Sequence, residues 1–428
     1  MIVTALLTLL ALMALAIPVA AAMGVLGLVL GQMYAFLPVS GVAGEIAWTS
    51  SNEFLLVALP LFILLGELLL RSGLAEAMYT ALARWLSWLP GGLMHSNIAA
   101  CALFAATSGS SVATAATVGT VALPQARRFG YNEKLFLGTL AAGGTLGILI
   151  PPSINMIVYA VLTNTSVPKL YLAGIVPGIL LALGFMVVVA LACLWRPAWG
   201  GRRVTATLAA CIAGLVHLVP PLGIFLVVVG SIYVGVATPT EAASLGVMAG
   251  LALAAWKRTL NWAMLREALL GTMKSTGMIM LIIVAAYFLN FVMSAIGLTT
   301  QLTNTVQLLD LSKWQMLFAV IVFYVILGCF METLSMMITT IPIIAPVMQG
   351  MGFDMVWFGI VVIVLVETAL ITPPVGLNLF VVHNLRERGS LNDVIIGSLP
   401  FVAAMFVLLL ALALFPGLAL WLPTLVSS

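Results

Sequence analysis

Long apolar stretches, separated by short polar or charged segments, run through almost the whole chain. A helix of roughly 20 mainly apolar residues is needed to cross a bilayer, and such stretches recur throughout the sequence. The pattern therefore predicts an all-α polytopic membrane protein. The predicted spans are residues 2–17, 18–37, 54–70, 170–195, 214–236, 240–256, 275–294 and 395–422, with amphipathic segments at 74–88, 260–273 and 298–309.

Four further segments depart from this simple spanning pattern. Residues 93–128 and 314–348 each consist of two apolar arms around a polar tip. The arms are about 14–16 residues long, shorter than a full crossing, so each pair is predicted to be a re-entrant hairpin with its tip inside the bundle. Residues 134–163 and 356–383 are each predicted to be a discontinuous helix, because Pro151-Pro152 and Pro373-Pro374 cannot continue a helical ladder.

The two halves of the chain repeat each other at a fixed offset. Pro151 and Pro373 are 222 positions apart. The same offset links Pro152 to Pro374, Pro124 to Pro346, Gly130 to Gly352, Thr117 to Thr339 and Ser111 to Thr333, and an offset of 223 links Gly174 to Gly397 and Pro177 to Pro400. The sequence thus predicts a first repeat at 54–195 and a second at 275–428, with scaffold segments at 1–53 and 196–274.

Composition and charge support a membrane protein and orient it. The chain is 63% hydrophobic and 7% charged, whereas a soluble domain carries about 25% charged residues. With the hairpins re-entrant and the N-terminus outside, only Lys169 and Lys313 of the 16 basic residues face outward. Cytoplasmic segments carry the excess of Lys and Arg. Both termini are therefore predicted to be periplasmic, and the two repeats to have inverted topology.

Few side chains offer catalytic or redox chemistry. The four cysteines are scattered in apolar surroundings, and the three histidines are isolated from one another, so neither a disulfide framework nor a transition-metal site is predicted. The sequence contains no phosphate-binding glycine loop with a lysine, which excludes ATP hydrolysis by that motif. The N-terminal run lacks a basic segment and is predicted to be retained as two spans. We expect no enzyme activity and no cofactor.

The helix breaks offer oxygen ligands for a cation. A broken helix exposes free carbonyls at one end and free N–H groups at the next, and hard oxygens suit Na⁺ better than a transition metal. We predict one Na⁺ site in each half, between a hairpin tip and the adjacent break. The alternative is that small and hydroxyl residues simply let the helices pack closely. The candidate cation-binding residues are Ser108, Gly109, Ser110, Ser111, Gly144, Thr145 and Gly147 in the first half, and Glu332, Thr333, Glu367, Thr368, Thr372 and Pro373 in the second.

Two acidic residues and two amides near the breaks are candidates for function. Glu332 and Glu367 lie inside predicted membrane segments, where ionisable groups are costly and usually functional. Each would attract a cation or carry a proton, or instead cap the broken backbone. Asn155 and Asn378 follow the breaks and would orient a substrate, or act as caps. The candidate substrate-binding residues are Ser110, Thr114, Pro151, Asn155, Ser335, Gly376 and Asn378.

Matched, interrupted segments in two inverted halves are typical of secondary transporters that alternate access around a midplane site. Four ordered motifs make the comparison more specific. They are Ser108-Gly-Ser-Ser-Val-Ala-Thr114, Gly147-Ile-Leu-Ile-Pro-Pro-Ser153, Thr238-Pro-Thr-Glu-Ala242 and Thr372-Pro-Pro-Val-Gly-Leu-Asn378. With these motifs the chain resembles, over essentially its whole length, the large membrane subunit of tripartite ATP-independent periplasmic (TRAP) transporters.

The resemblance implies an elevator-type permease of the bacterial inner membrane. Such a subunit couples uptake of organic acids to Na⁺, and it works with a small membrane subunit and a periplasmic substrate-binding protein. By the same resemblance, the Na⁺ sites fall at 108–111 with 144–147 and at 332–333 with 368–373. Segments 74–88 and 298–309 would be arms that link a mobile transport domain to a fixed scaffold.

Three other functions remain open from the residues alone. A stand-alone dicarboxylate carrier of similar inverted design would work without a binding protein. An intramembrane enzyme would need a catalytic dyad or metal ligands in the membrane, which the scattered His and Cys residues do not offer. A channel would not require two matched broken repeats.

Overall fold

The computed structural model describes residues 1–15, 17–36, 38–204, 207–298, 300–301, 304, 311–328, 331–374, 376–386 and 388–427. Within these ranges the regular elements are all helices, which confirms the predicted all-α class. The predicted amphipathic segment 298–309 lies almost entirely outside the described residues.

The first half begins with α1 and α2 and then forms the first repeat. A short helix, α3, precedes this repeat. In the repeat, α6 and α7 form the first hairpin, and α8 and α9 form the first broken helix, whose two parts are bent by 42°. The elements are α1 (Ile2–Ala14), α2 (Val19–Tyr34), α3 (Ala43–Ser51), α4 (Ala58–Arg71), α5 (Leu74–Leu86), α6 (Leu93–Ser108), α7 (Ser111–Phe129), α8 (Glu133–Leu149), α9 (Ile154–Thr163) and α10 (Val167–Trp195).

The second half follows the same plan after a central scaffold. Short helices over residues 208–233 form one apolar path that includes a π-helical turn. In the second repeat, α16 and α17 form the second hairpin, and α18 and α19 form the second broken helix. The elements are α11 (Leu208–Gly214), α12 (Val219–Phe225), α13 (Ser231–Tyr233), α14 (Pro239–Trp256), α15 (Trp262–Ala295), α16 (Lys313–Gly328), α17 (Thr333–Gly350), α18 (Met355–Leu370), α19 (Leu377–Asn384), α20 (Leu391–Leu414) and α21 (Gly417–Ser427).

Three helix assignments differ from the sequence prediction. The amphipathic segment 260–273 and the span 275–294 are one continuous helix, α15, of 34 residues, because the polar residues around Lys274 lower hydropathy without breaking the backbone. The predicted span 395–422 is divided into α20 and α21, since Pro416 cannot continue the preceding helix. Helix α3 was missed because its nine residues are too short for a spanning pattern.

Six described helical stretches are long and apolar enough to cross a membrane, or seven if the α8–α9 pair counts as one. Two of the six, 54–71 and 208–233, join shorter helical elements. One of the six is α17, the second arm of the second hairpin, with 18 residues. Its length and composition would therefore permit a crossing, while its partner α16 has 16 residues and falls short. The re-entrant course of both hairpins stays a prediction.

The helices separate into a scaffold group and a group that carries the hairpins. In the scaffold, α15 packs against α2, α3 and α4, and α14 packs against α4. In the hairpin group, α8 packs against α6, α7 and α20. The crossing of α8 and α20 is so close that a Cβ on Gly138 or Gly397 would collide with backbone atoms of the other helix. The broken helices therefore form the centre of the hairpin group.

Ion pairs tie the two repeats together at the predicted cytoplasmic side. The Arg386 side chain, only 3% exposed, lies 2.9 Å from a carboxylate oxygen of Glu133 and 3.6 Å from one of Asp393. These partners begin α8 and α20, whereas Arg386 directly follows α19. Lys134, in α8, lies 3.4 Å from the other carboxylate oxygen of Asp393 and adds a second ion pair between the two helices.

Candidate functional site

The two hairpin tips and the two helix breaks meet around one cavity of about 80 Å³. Its walls combine hydroxyl, amide and carboxylate groups with aliphatic side chains. The lining residues are Gly109, Ser110, Ser111, Val112, Ile148, Ile154, Asn155, Glu332, Thr333, Leu334, Leu370 and Leu377. None of these described lining residues is Lys, Arg or His, so the wall has no cationic side chain.

The walls include the N-terminal ends of four helices: α7, α9, α17 and α19. Each helix N-terminus presents free N–H groups and partial positive charge. In three of the helices a side chain accepts the N–H of the third helical residue: Ser110 in α7, Ser153 in α9 and Glu332 in α17. The fourth helix, α19, begins after Gly376 and has no side-chain cap. The cavity thus resembles an anion site built from backbone dipoles.

Close backbone approach holds the first hairpin against the first break. An added Cβ on Gly147 would lie 2.7 Å from the Ser110 carbonyl oxygen, and one on Gly109 would lie 2.8 Å from the Pro152 oxygen. Gly109 also has a φ of +62°, a left-handed conformation that favours glycine. Glycine at both positions therefore lets the tip dock directly on the broken helix.

The other candidate residues of the first half are buried around this docking point. The hydroxyl oxygens of Ser108 and Thr114 are 3.1 Å apart, and the Thr114 hydroxyl donates to the Ser110 carbonyl at 2.6 Å. Thr145 is occupied with its own helix, donating to the Ala142 carbonyl at 2.7 Å. Thr114, Gly144, Thr145 and Pro151 are buried but do not line the cavity.

At the second tip, Glu332 organises the start of α17. One carboxylate oxygen accepts hydrogen bonds from the Ser335 N–H at 3.1 Å and the Ser335 hydroxyl at 3.2 Å. The other accepts from the Thr333 hydroxyl at 3.1 Å. Glu332 and Thr333 line the cavity, whereas Ser335 lies behind them in α17. At the facing break, the Thr372 hydroxyl donates to the Thr368 carbonyl at 2.6 Å, and Thr372 and Pro373 are partly exposed.

Glu367 is an ionisable group without a hydrogen-bond partner. The residue is fully buried in α18, and neither carboxylate oxygen makes a hydrogen bond to the described residues. The carboxylate nevertheless faces the backbone N–H groups of Leu149 and Ile148, at the end of α8, and these groups favour a negative charge there. The carboxylate therefore sits between the two broken helices, near both breaks but outside the cavity wall.

The two asparagines occupy different environments. Asn378, fully buried, donates from Nδ2 to the Ser111 hydroxyl at 2.8 Å and to the Ala141 carbonyl at 3.2 Å. It thereby joins the second broken helix to the first hairpin and to α8. Asn155 is 3% exposed, lines the cavity, and has no partner for Nδ2 among the described residues. Gly376, like Asn378, is buried outside the cavity wall.

The sequence reasoning missed several groups at the site. Ser153 caps α9 through the N–H of Met156 at 3.3 Å, and its position directly after Pro151-Pro152 would have signalled an N-cap. The aliphatic wall residues Ile148, Ile154, Leu334, Leu370 and Leu377 carry no signal that distinguishes them from ordinary core.

Larger cavities lie beside the first hairpin. Cavities of about 660 Å³ and 680 Å³ both contact Thr120 and Pro124 on α7. Arg127 and Arg386 line one of them, and Arg84 and Arg128 line the other. The C-terminal part of α7 is therefore accessible from the side that the basic residues predict to be cytoplasmic.

Two hairpins and two broken helices around one cavity are typical of a polytopic secondary transporter. Residues 6–418 match the family model of the tripartite ATP-independent periplasmic transporter, DctM component. The chain belongs to this family; it is a membrane transporter component and not an enzyme.

Individual relatives agree with the family match. The chain is 36% identical to the C4-dicarboxylate TRAP transporter large permease protein DctM of Pseudomonas aeruginosa over 87% of each chain. It is 32% identical to the corresponding protein of Rhodobacter capsulatus over 98% of each. Among solved structures, it is similar to the YdaH transporter of Alcanivorax borkumensis, with a TM-score of 0.57, 16% identity, and 96% and 99% of the two chains covered. That likeness supports the fold alone.

Proposed function

We propose that this chain takes up a small organic acid across the bacterial inner membrane, driven by Na⁺, as the large permease of a TRAP transporter. The observation that carries the proposal is the convergence of four helix N-termini on one cavity whose lining lacks cationic side chains. A carboxylate would be held there by N–H groups, hydroxyls and an amide. The names of the two relatives favour C4-dicarboxylates within this class.

The groups beside the cavity support coupling to Na⁺. The hydroxyls of Ser108 and Thr114, the carbonyls of the tips and breaks, and the unpartnered carboxylate of Glu367 form a donor set of hard oxygens. These residues fit a Na⁺ ion in each half, at 108–111 with 144–147 and at 332–333 with 368–373. A bound cation would supply the positive charge that the cavity lining lacks. Substrate and Na⁺ would therefore favour each other's binding.

Transport would occur by an elevator movement of the hairpin group against the scaffold. The first hairpin and the broken helices pack around α8, and the second hairpin packs against α9 and α18, while α2, α4, α14 and α15 form another group. Helix α5 contacts α6 and α7 of the moving group and would serve as one of its arms. The cavities along α7 would form the cytoplasmic exit.

The proposal includes two protein partners. A periplasmic substrate-binding protein would deliver the organic acid, and a small membrane subunit would complete the permease. The second candidate function is a stand-alone anion carrier of the same inverted design, which would need neither partner.

Reconstitution tests the proposal and separates it from this alternative. The chain would be placed in proteoliposomes with the small subunit and the binding protein encoded beside it, and uptake of C3 and C4 carboxylates would be measured. We expect uptake under a Na⁺ gradient, and at least tenfold less when K⁺ replaces Na⁺ or any protein is omitted. Uptake by the chain alone would support the stand-alone carrier, and Na⁺-independent uptake would contradict the coupling.

Cysteine accessibility tests the proposed topology, in which both termini are periplasmic. Single cysteines at the exposed positions Arg127 and Lys313 would be introduced into a variant without native cysteines. In intact cells, a membrane-impermeant maleimide should label the cysteine at 313 and leave the one at 127 unlabelled until the membrane is opened. The reverse labelling would invert the topology, and labelling of both from outside would contradict the proposed path of the chain between the two positions.

A further inference from the structure

We propose that the two pseudosymmetric asparagines have separate tasks: Asn155 donates to a carboxylate oxygen of the substrate, whereas Asn378 positions the first hairpin tip. The inference rests on the proposed function and identifies a group that recognises the substrate. It follows from the contacts of the two residues, which differ although their places in the repeats correspond.

The two residues correspond in sequence, with one residue inserted after the second Pro-Pro break. Asn155 and Asn378 are 223 positions apart, the offset that also links Gly174 to Gly397. Each asparagine is the second residue of the helix that follows a Pro-Pro break. Each of these helices also packs against the hairpin of the other repeat, since α9 contacts α17 and α19 contacts α7.

If the two repeats were strictly symmetric, Asn155 would make the same hydrogen bond as Asn378. Asn378 Nδ2 donates to the hydroxyl of Ser111, the first residue of α7. Thr333, 222 positions after Ser111, is the first residue of α17 and the expected partner of Asn155. The Thr333 hydroxyl donates to the Glu332 carboxylate at 3.1 Å, and it accepts no hydrogen bond from Asn155 Nδ2. Because Glu332 corresponds to the uncharged Ser110, the acidic residue breaks the symmetry.

This substitution leaves the Asn155 amide free to donate. Its Nδ2 is buried, has no partner among the described residues, and belongs to a side chain on the cavity wall. A buried donor without a partner costs about 1–3 kcal/mol, and a ligand that accepts its hydrogen bond recovers that cost. The uncapped N-terminus of α19, at Leu377, lies on the same wall and adds free N–H groups.

The negative charge of Glu332 limits which donors can hold the substrate carboxylate. Its carboxylate lines the same cavity and repels the substrate carboxylate. The substrate carboxylate would therefore be held by donors away from Glu332. Asn155 and the α19 terminus are such donors, while both Asn378 hydrogen bonds already hold protein groups.

The first test compares Asn155→Ala with the wild type by substrate-dependent stabilisation of the purified chain in Na⁺, using a panel of C3 and C4 carboxylates that includes succinate and lactate. Hydrogen bonds to charged groups predict an increase of about 10- to 100-fold in the half-saturating carboxylate concentration. Asn155→Asp, which adds a negative charge, should abolish the response. The Na⁺-dependent stabilisation of Asn155→Ala should stay that of the wild type, and Asn155→Asp should still be stabilised by Na⁺, which shows that both variants fold.

Asn378→Ala is the matched variant. It should leave the half-saturating carboxylate concentration within about threefold of the wild type and lower the maximal uptake rate. Ser111→Ala should reproduce that loss, and the double variant should lose little more, because both changes break one contact.

The outcomes separate this inference from the proposed function. If the wild type responds to carboxylate and Asn155→Ala has the same half-saturating concentration, the proposed role of Asn155 is wrong. The proposed function would be unaffected by that result. A weakened carboxylate response in Asn378→Ala, equal to that of Asn155→Ala, would overturn the division of tasks. A wild type that responds to no carboxylate of the panel would overturn the proposed function, and this inference with it.

Discussion

Replacement of Gly147 by valine should abolish uptake, reducing the rate at least 100-fold, while the chain still inserts into the membrane. The Cβ of any other residue here would lie 2.7 Å from the Ser110 carbonyl oxygen and 2.8 Å from its carbon. Both are backbone atoms of the hairpin tip and cannot rotate away as a flexible side chain would. The tip must therefore move off the broken helix, which separates the groups proposed to bind Na⁺ and opens the cavity.

The measurement is initial uptake in reconstituted proteoliposomes, with the amount of inserted protein determined in parallel. Gly184→Val is the matched control, because Gly184 also lies in a helix, α10, and has no neighbouring atom within 4 Å of the added Cβ. We expect the control to transport at a rate close to the wild type. Normal uptake by Gly147→Val would show that docking of this tip is not needed for transport.

The helix breaks and their pairing could be predicted because proline and glycine act locally. A Pro-Pro pair interrupts the ladder in any surroundings, so Pro151 and Pro373 marked both broken helices correctly. The ends of the hairpin arms were also predicted within a few residues. A polar tip between two short apolar arms can adopt few other structures in a membrane. Where the signal was only a change in hydropathy, as at Lys274, the prediction divided a helix that is continuous.

The composition of the cavity wall could be predicted only in part. Ser110, Glu332 and Thr333 were singled out as oxygen ligands at the hairpin tips and Asn155 as an amide after a break, and all four line the cavity. The hydrogen bond from Asn378 to Ser111 joins residues 267 positions apart. It depends on how the two repeats interlock, which a periodic pattern does not encode. The role of each residue in binding stays a prediction.

Replacement of Glu367 by glutamine should remove a large part of the stabilisation that Na⁺ gives to the protein. Glu367 is fully buried, and neither of its oxygens has a hydrogen-bond partner among the described residues. Burial of a carboxylate costs several kcal/mol, and a bound cation would offset part of that cost. Glutamine has nearly the same shape and no charge. The variant should therefore be at least as stable as the wild type without Na⁺, and it should bind Na⁺ more weakly.

The magnitude makes the effect measurable by thermal unfolding of the purified chain. A Na⁺ concentration of 100 times Kd adds about 2.7 kcal/mol, which corresponds to roughly 3 °C for a chain of this size. Loss of one such contribution in Glu367→Gln should be accompanied by loss of Na⁺-driven uptake. Glu241→Gln, which changes an exposed cap of α14, should keep the full Na⁺ response. An unchanged Na⁺ response in Glu367→Gln would mean that the buried carboxyl is neutral and serves only the packing of the two broken helices.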